Sequence, residues 1–183
     1  KFISENNSPK SINAGGISIL SNNDLLIDSM TISAQSIDLR SKKNLTIQSS
    51  QLLSSGTNNG KNRNKSVGIN LSAMEEFKNN RSIIKSESSI DIYSKNDLSI
   101  QTGISSLFNQ KKETYNIVST AKKAIMESGE NGLRFFSEGD ITVKGSDIRS
   151  EGEIEMVAQS IKINSLIKKD KNIHSKLQHS DSK

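Results

Sequence analysis

The side chains best suited to chemistry in this sequence are carboxylates. Asp24, Asp28, Asp91, Asp97, Glu151, Glu153 and Glu155 stand beside short apolar phrases. Carboxylates converging on one face would suit polysaccharide cleavage. The spacing argues against convergence. Asp24 is followed twenty residues on by Asn44, and Asp28 by Gln48, while Asp91 and Asp97 fall on different strands. Glu151, Glu153 and Glu155 alternate along one strand or turn, which reads as a solvated face with weak pull on a divalent cation. The two histidines, His174 and His179, are five apart in a Lys-rich tail. That spacing is neither a helical i, i+4 pair nor a strand pair. Cysteine is absent, so no disulfide framework and no thiolate metal site can form. Serine is 33 of 183 residues, yet no nucleophile-elbow glycine pattern and no Gly-rich phosphate loop accompanies it. The residues assign no catalytic, cofactor-binding or metal site.

The excess of five positive charges is no sharper. Residues 53–87 carry +3 and 168–183 carry +3, against +1 in the first 52 residues and −2 in 88–167. Without interleaved aromatics to stack on bases, this pattern does not point to specific nucleic-acid binding. No apolar run approaches the 18 or more residues of a membrane span.

What these residues sit on is a repeat. A small or polar pair, then apolar, polar, apolar, recurs at Gly15–Ile19, Asn23–Ile27, Gln35–Leu39, Lys43–Ile47, Ser88–Ile92, Asn96–Ile100, Asn131–Phe135, Gly139–Val143, Gly152–Met156 and Gln159–Ile163. Ile17 and Ile19 return twenty residues on as Ile37 and Leu39, Leu25 and Ile27 as Leu45 and Ile47, Ile32 as Leu52, and Ile141 as Ile161. Apolar alternation over three residues is strand periodicity. Strands this short cannot bury a face alone, so a fixed period above them means that each unit stacks on its neighbours. Three short strands per twenty residues, joined by Asn, Asp, Gly and Ser turns, make one coil of a β-solenoid advancing about 4.8 Å. A sandwich would use strands of about five or six residues with no fixed period. Ile is 24 residues and Trp none, as a narrow stacked core requires.

The expected organisation is a leading segment at 1–11, regular coils at 12–52, an irregular insertion at 53–87, a coil at 88–101, a second insertion at 102–130, coils at 131–167, and a basic tail or linker at 168–183. Within the first insertion, the polar run Gly56–Lys65 reads as an exposed loop and 66–72 as a strand. Ser72 with Glu75 suggests a capping box for a short helix through Phe77. Within the second, Tyr115, Val118, Ala121, Ile125 and Met126 fall near one face at three- and four-residue steps. They predict a helix over 111–128 with Gly129 as its stop. Ile and Val are weak helix formers, so a strand competes for that segment. Irregular segments give shape to an otherwise uniform solenoid, and both insertions are expected to carry any specific contact. The start at Lys1, with no Met and no signal-like run, reads as a piece of something longer.

The phrases at Gly15–Ile19, Lys43–Ile47, Asn96–Ile100 and Gly139–Val143 resemble the haemagglutinin-repeat region of filamentous-haemagglutinin-like adhesins and contact-dependent growth-inhibition effectors. So does the order Asn44–Gln51, polar spacer, Lys65–Ser72. The resemblance spans about residues 12–167. After Leu71 the chain departs from it, with Ala73–Phe77 in place of Gly- and Ser-rich alternation. The resemblance implies an all-β, right-handed parallel β-helix in a secreted, cell-surface filament. It implies an outer-membrane two-partner-secretion transporter that recognises another region, and contact with a target-cell receptor or glycan. A β-helical polysaccharide lyase or hydrolase is the alternative.

Overall fold

The computed structural model describes residues 10–56, 68–111 and 114–165, and of 103–122 only the backbone. The parallel β-helix core expected from the periodicity is present, and successive coils hydrogen-bond strand to strand along three faces.

The first coil is β1 (Lys10–Ser21), a bent strand serving two faces, and β2 (Leu25–Asp28). The second is β3 (Met30–Ser41), bent in the same way, and β4 (Leu45–Gln48). Then come β5 (Gln51–Ser54), β6 (Gly68–Ala73) and β7 (Phe77–Asn80), followed by β8 (Ile83–Ser86), β9 (Ile90–Ser94) and β10 (Leu98–Gln101). A hairpin of β11 (Gly103–Lys111) and β12 (Thr114–Lys122) interrupts. The fifth coil is β13 (Ile125–Ser128), β14 (Leu133–Ser137) and β15 (Asp140–Lys144). The sixth is β16 (Asp147–Ser150), β17 (Ile154–Val157) and β18 (Ser160–Asn164).

The first face stacks the leading halves of β1 and β3 on β5, β8, β13 and β16, and the second stacks their trailing halves on β6, β9, β14 and β17. The third face is β2, β4, β7, β10, β15 and β18. Every neighbouring pair on these faces is parallel. The register pairs Ile17 with Ile37, Leu25 with Leu45, Ile32 with Leu52 and Ile141 with Ile161, as the twenty-residue period requires. Side chains alternate, so inward residues form columns along the axis. Ile32, Leu52, Ile84 and Met126 make one such column, each wholly buried.

The corners explain the serines. Ser41, Ser94 and Ser137 occupy one corner column, with Ala73 among them. Ser41 Oγ donates to the Asn23 carbonyl and Ser137 Oγ to that of Asn96, while Ser94 Oγ is shared between the carbonyls of Glu75 (2.8 Å) and Asp97 (3.0 Å). These bonds give the turn carbonyls a donor, a second one at Glu75, Asn96 and Asp97, which also accept the backbone amides of Asn96, Gly139 and Phe77. Ser94→Ala should lower stability by about 1 kcal/mol in urea unfolding, and no loss would remove the hydroxyl from the account. Ala73 at the same station shows that the methyl fits, so the loss isolates the hydrogen bond.

Between the third and first faces the chain turns through one left-handed residue: Ser29 (φ 54°), Ser49 (φ 50°), Arg81 (φ 58°) and Gly145 (φ 62°) in four of the coils. Thr102 holds the equivalent place in the fourth coil, its amide bonded to the Lys144 carbonyl, and there the hairpin leaves the solenoid.

Two expectations are overturned. No helix occurs among the described residues. Residues 114–122 of the expected 111–128 helix are β12, paired antiparallel with β11, and 125–128 are β13 in the first face. The register sets Tyr115, Val118 and Ala121 opposite Gln110, Leu107 and Ile104. Their helical spacing is outweighed by the β-branched residues Thr114, Ile117, Val118 and Thr120, which favour extended backbone. Gly129 ends no helix. It lies at a corner where a Cβ would come within 2.1 Å of the Glu87 carbonyl oxygen. The short helix through Phe77 is likewise replaced by β7, whose Phe77 stacks between Leu45 and Leu98. Residues 1–9, 57–67 and 166–183, which hold most of the leading segment, the polar loop and the basic tail with His174 and His179, lie outside the described residues.

Candidate contact surfaces

A parallel solenoid displays its outward residues in columns. On the third face and at the turns leading into it, the acids serve the fold. Asp24 Oδ1 accepts from both the backbone amide (3.1 Å) and the side-chain amide (2.9 Å) of Asn44, whose own Oδ1 accepts from the Glu76 amide (3.1 Å). Asp97 Oδ1 accepts from the Asp140 amide at 3.0 Å. Asp28 accepts from Ser29 Oγ. Glu151 and Glu153 flank Gly152 at a corner, Glu155 lies in β17, and all three are exposed. Among the described residues no three His, Cys, Asp or Glu side chains stand where they could share a metal ion.

The second face is different. One outward column runs Ser18, Asp38, Asn70, Asp91, Arg134, Glu155. Two residues further along each strand the next column runs Leu20, Arg40, Ser72, Tyr93, Phe136, Val157. A third, just past the strand ends, holds Lys42, Met74, Lys95 and Glu138, whose amides donate to the carbonyls of Ser21, Ser41, Ala73 and Ser94 in the preceding coils. A shallow groove of about 630 Å³ lies among these columns, with Leu71, Ile92 and Phe135 as its floor.

Tyr93 and Phe136 stack with ring centroids 5.7 Å apart and planes within 11°. Tyr93 Oη donates to Glu138 Oε1 at 2.8 Å, which pushes the phenol pKa above its ordinary value. Arg134 Nε donates to Asp91 Oδ1 at 2.5 Å, and Arg40 grips both oxygens of Asp38 at 2.8 Å. Each carboxylate holds its guanidinium more firmly protonated. These pairs are largely exposed, so they order side chains more than they stabilise the fold. Leu20 (67% exposed), Met74 (47%), Phe136 (44%) and Val157 (44%) leave an apolar strip open on the same face. Sequence reasoning missed this surface. Its signal was the fourth residue of two phrases, Tyr93 after Ile90–Ile92 and Phe136 after Leu133–Phe135, aromatic where Ser72 and Arg40 stand on other coils.

A second groove of about 580 Å³ follows the corner between the first and second faces, among Ser54, Ser86, Ser128, Lys85 and Glu127. Lys85 reaches Glu127 at 2.6 Å. Among the described residues, the hairpin β11–β12 pairs with no other strand. No helix among the described residues is long and apolar enough to cross a membrane.

A family model for the hemagglutinin repeat matches residues 4–65, from the first coil into the third. No curated protein and no solved structure matches the chain. The repeat match at 4–65 and the stacked coils fit a structural role.

Proposed function

We propose that this chain is a structural and surface-contact segment of a large secreted adhesin of the filamentous-haemagglutinin type, or of a contact-dependent growth-inhibition exoprotein. It extends from the bacterial surface and touches a receptor or glycan on a target cell. Export runs through an outer-membrane two-partner-secretion transporter that engages another part of the parent protein. The observation that carries this reading is the hemagglutinin-repeat match at 4–65, set on the first coils of a parallel solenoid. A solenoid suits the task. Each coil contacts only its neighbours, so length accumulates by repetition and reach needs no new core.

In this reading the specific contact belongs to the segments that leave the regular coil. The hairpin 103–122 departs at Thr102 and returns at Lys123, between paired strands β10 and β13 on adjacent faces. Replacing it with a short Gly–Ser turn should leave the solenoid's circular dichroism and melting intact and reduce saturable binding to whole bacterial or animal cells at least ten-fold. Binding undiminished by a folded deletion would move the contact elsewhere. Absence of binding by the intact chain to either cell type would leave a spacer in place of a contact module.

A further inference from the structure

We propose that the second face is a self-association surface, on which two copies of this chain pack face to face with their solenoid axes antiparallel. The two-fold axis runs along the strand direction between β6 and β9. This proposal concerns a different surface from the hairpin and does not depend on target-cell contact.

The argument is the charge and size pattern along the columns. A two-fold axis in that position sets each column against itself with the coil order reversed, so the second coil meets the fifth and the third meets the fourth. Asp38 of one copy then opposes Arg134 of the other. Lys42 opposes Glu138. Arg40 opposes Phe136, its stem against the exposed ring edge. Leu20 opposes Val157. At the axis itself Ser72 opposes Tyr93, a small residue facing a large one. No like charges confront each other in these columns, and every contact occurs twice. Parallel packing, with each coil against its own number, would set Asp38 onto Arg40 and Arg134 onto Phe136 but also Asp91 onto Tyr93 and Glu155 onto Val157, leaving two acids against uncharged side chains. The antiparallel arrangement uses the apolar strip and the charges together.

The size of the face sets the strength. Six coils at about 4.8 Å by about five residues at about 3.3 Å give on the order of 500 Å² a side, below the roughly 800 Å² of a standard interface. The expected dimer is therefore weak, with a dissociation constant in the micromolar range or above.

The test is sedimentation velocity of the full chain across concentration, with Lys42→Glu and Glu138→Lys. Each variant alone sets like charges against each other at two symmetric places, and its dissociation constant should rise at least ten-fold. The double variant should return to within about three-fold of the parent chain. The sharper reading is the mixture. A Lys42→Glu chain and a Glu138→Lys chain oppose Glu to Lys at both places, so together they should associate more tightly than either alone. Both stay net positive, since the parent is at +5 and each substitution moves it by two, so bulk attraction cannot produce that result. Phe136→Ser should weaken association without changing the fold by circular dichroism. A parent chain that stays monomeric to about 1 mM would overturn the proposal. So would association that the single variants leave unchanged, or a mixture no tighter than its components.

Discussion

Replacing Asn79 with valine is expected to raise the stability of the chain by about 2 kcal/mol, and its melting temperature by roughly 4–8 °C. Asn79 lies on the third face in an inward column, paired in register with Ile47 in the coil before and Ile100 in the coil after. It is wholly buried, and neither its side-chain nitrogen nor its oxygen has a hydrogen-bond partner. An amide left unsatisfied in an apolar site costs about 1–3 kcal/mol on mutational scales. Valine removes that cost and presents the β-branched shape that its column neighbours already carry. Isoleucine matches those neighbours more closely but adds volume, and beside Phe77 on the same strand it would make this coil the bulkiest of its face. The measurement is denaturant unfolding with an unchanged slope, alongside the thermal melt. A fall in stability on Asn79→Val would show that the amide is satisfied within the core and holds it together.

The same residue shows where the sequence was legible and where it was not. Coils whose inward stations are both aliphatic, such as Leu45 with Ile47 or Ile141 with Val143, announce themselves by alternation, and the structure pairs them as the period demands. The coil through β7 reads Phe77-Lys78-Asn79-Asn80, with a polar residue at the second inward station, so its alternation vanishes. Ser72 and Glu75 then offered a local helical reading. That reading lost because Phe77 completes a column from Leu45 to Leu98, a non-local gain that no window of sequence contains. Accordingly β5, β6, β7 and β8 all pair within the three faces. The hairpin β11–β12 failed for another reason. Tyr115, Val118 and Ala121 satisfy a three-residue step by accident, and their strand partners lie in β11. The second face was invisible for a third reason. Its outward columns join residues from six coils, and the register that aligns Arg40 with Ser72 and Tyr93 depends on how many residues each turn absorbs.

Phe77→Ala is expected to cost about 3–5 kcal/mol, the largest loss of any single truncation considered. Phe77 and Phe135 are the largest wholly buried side chains among the described residues, but they differ in surroundings. Phe135 lies on the second face near the C-terminal end, between Ile92 and Met156, and Met156 is only partly buried, so its neighbours have room to collapse. Phe77 is enclosed by Leu45 and Leu98, both wholly buried, and shares its coil with the unsatisfied Asn79. Truncation there opens a cavity beside a polar group that cannot fill it. The consequence follows from one-dimensional cooperativity. Stability in a solenoid is a sum of coil terms and nearest-neighbour interfaces, so a weakened middle coil uncouples the coils on either side. Unfolding of Phe77→Ala should therefore broaden or split, and amide exchange should accelerate in β4, β7 and β10 before β14 and β15. A loss under about 1 kcal/mol with a single sharp transition would mean that the column closes over the gap, and that coils here are bound into one cooperative unit stronger than nearest-neighbour stacking supplies.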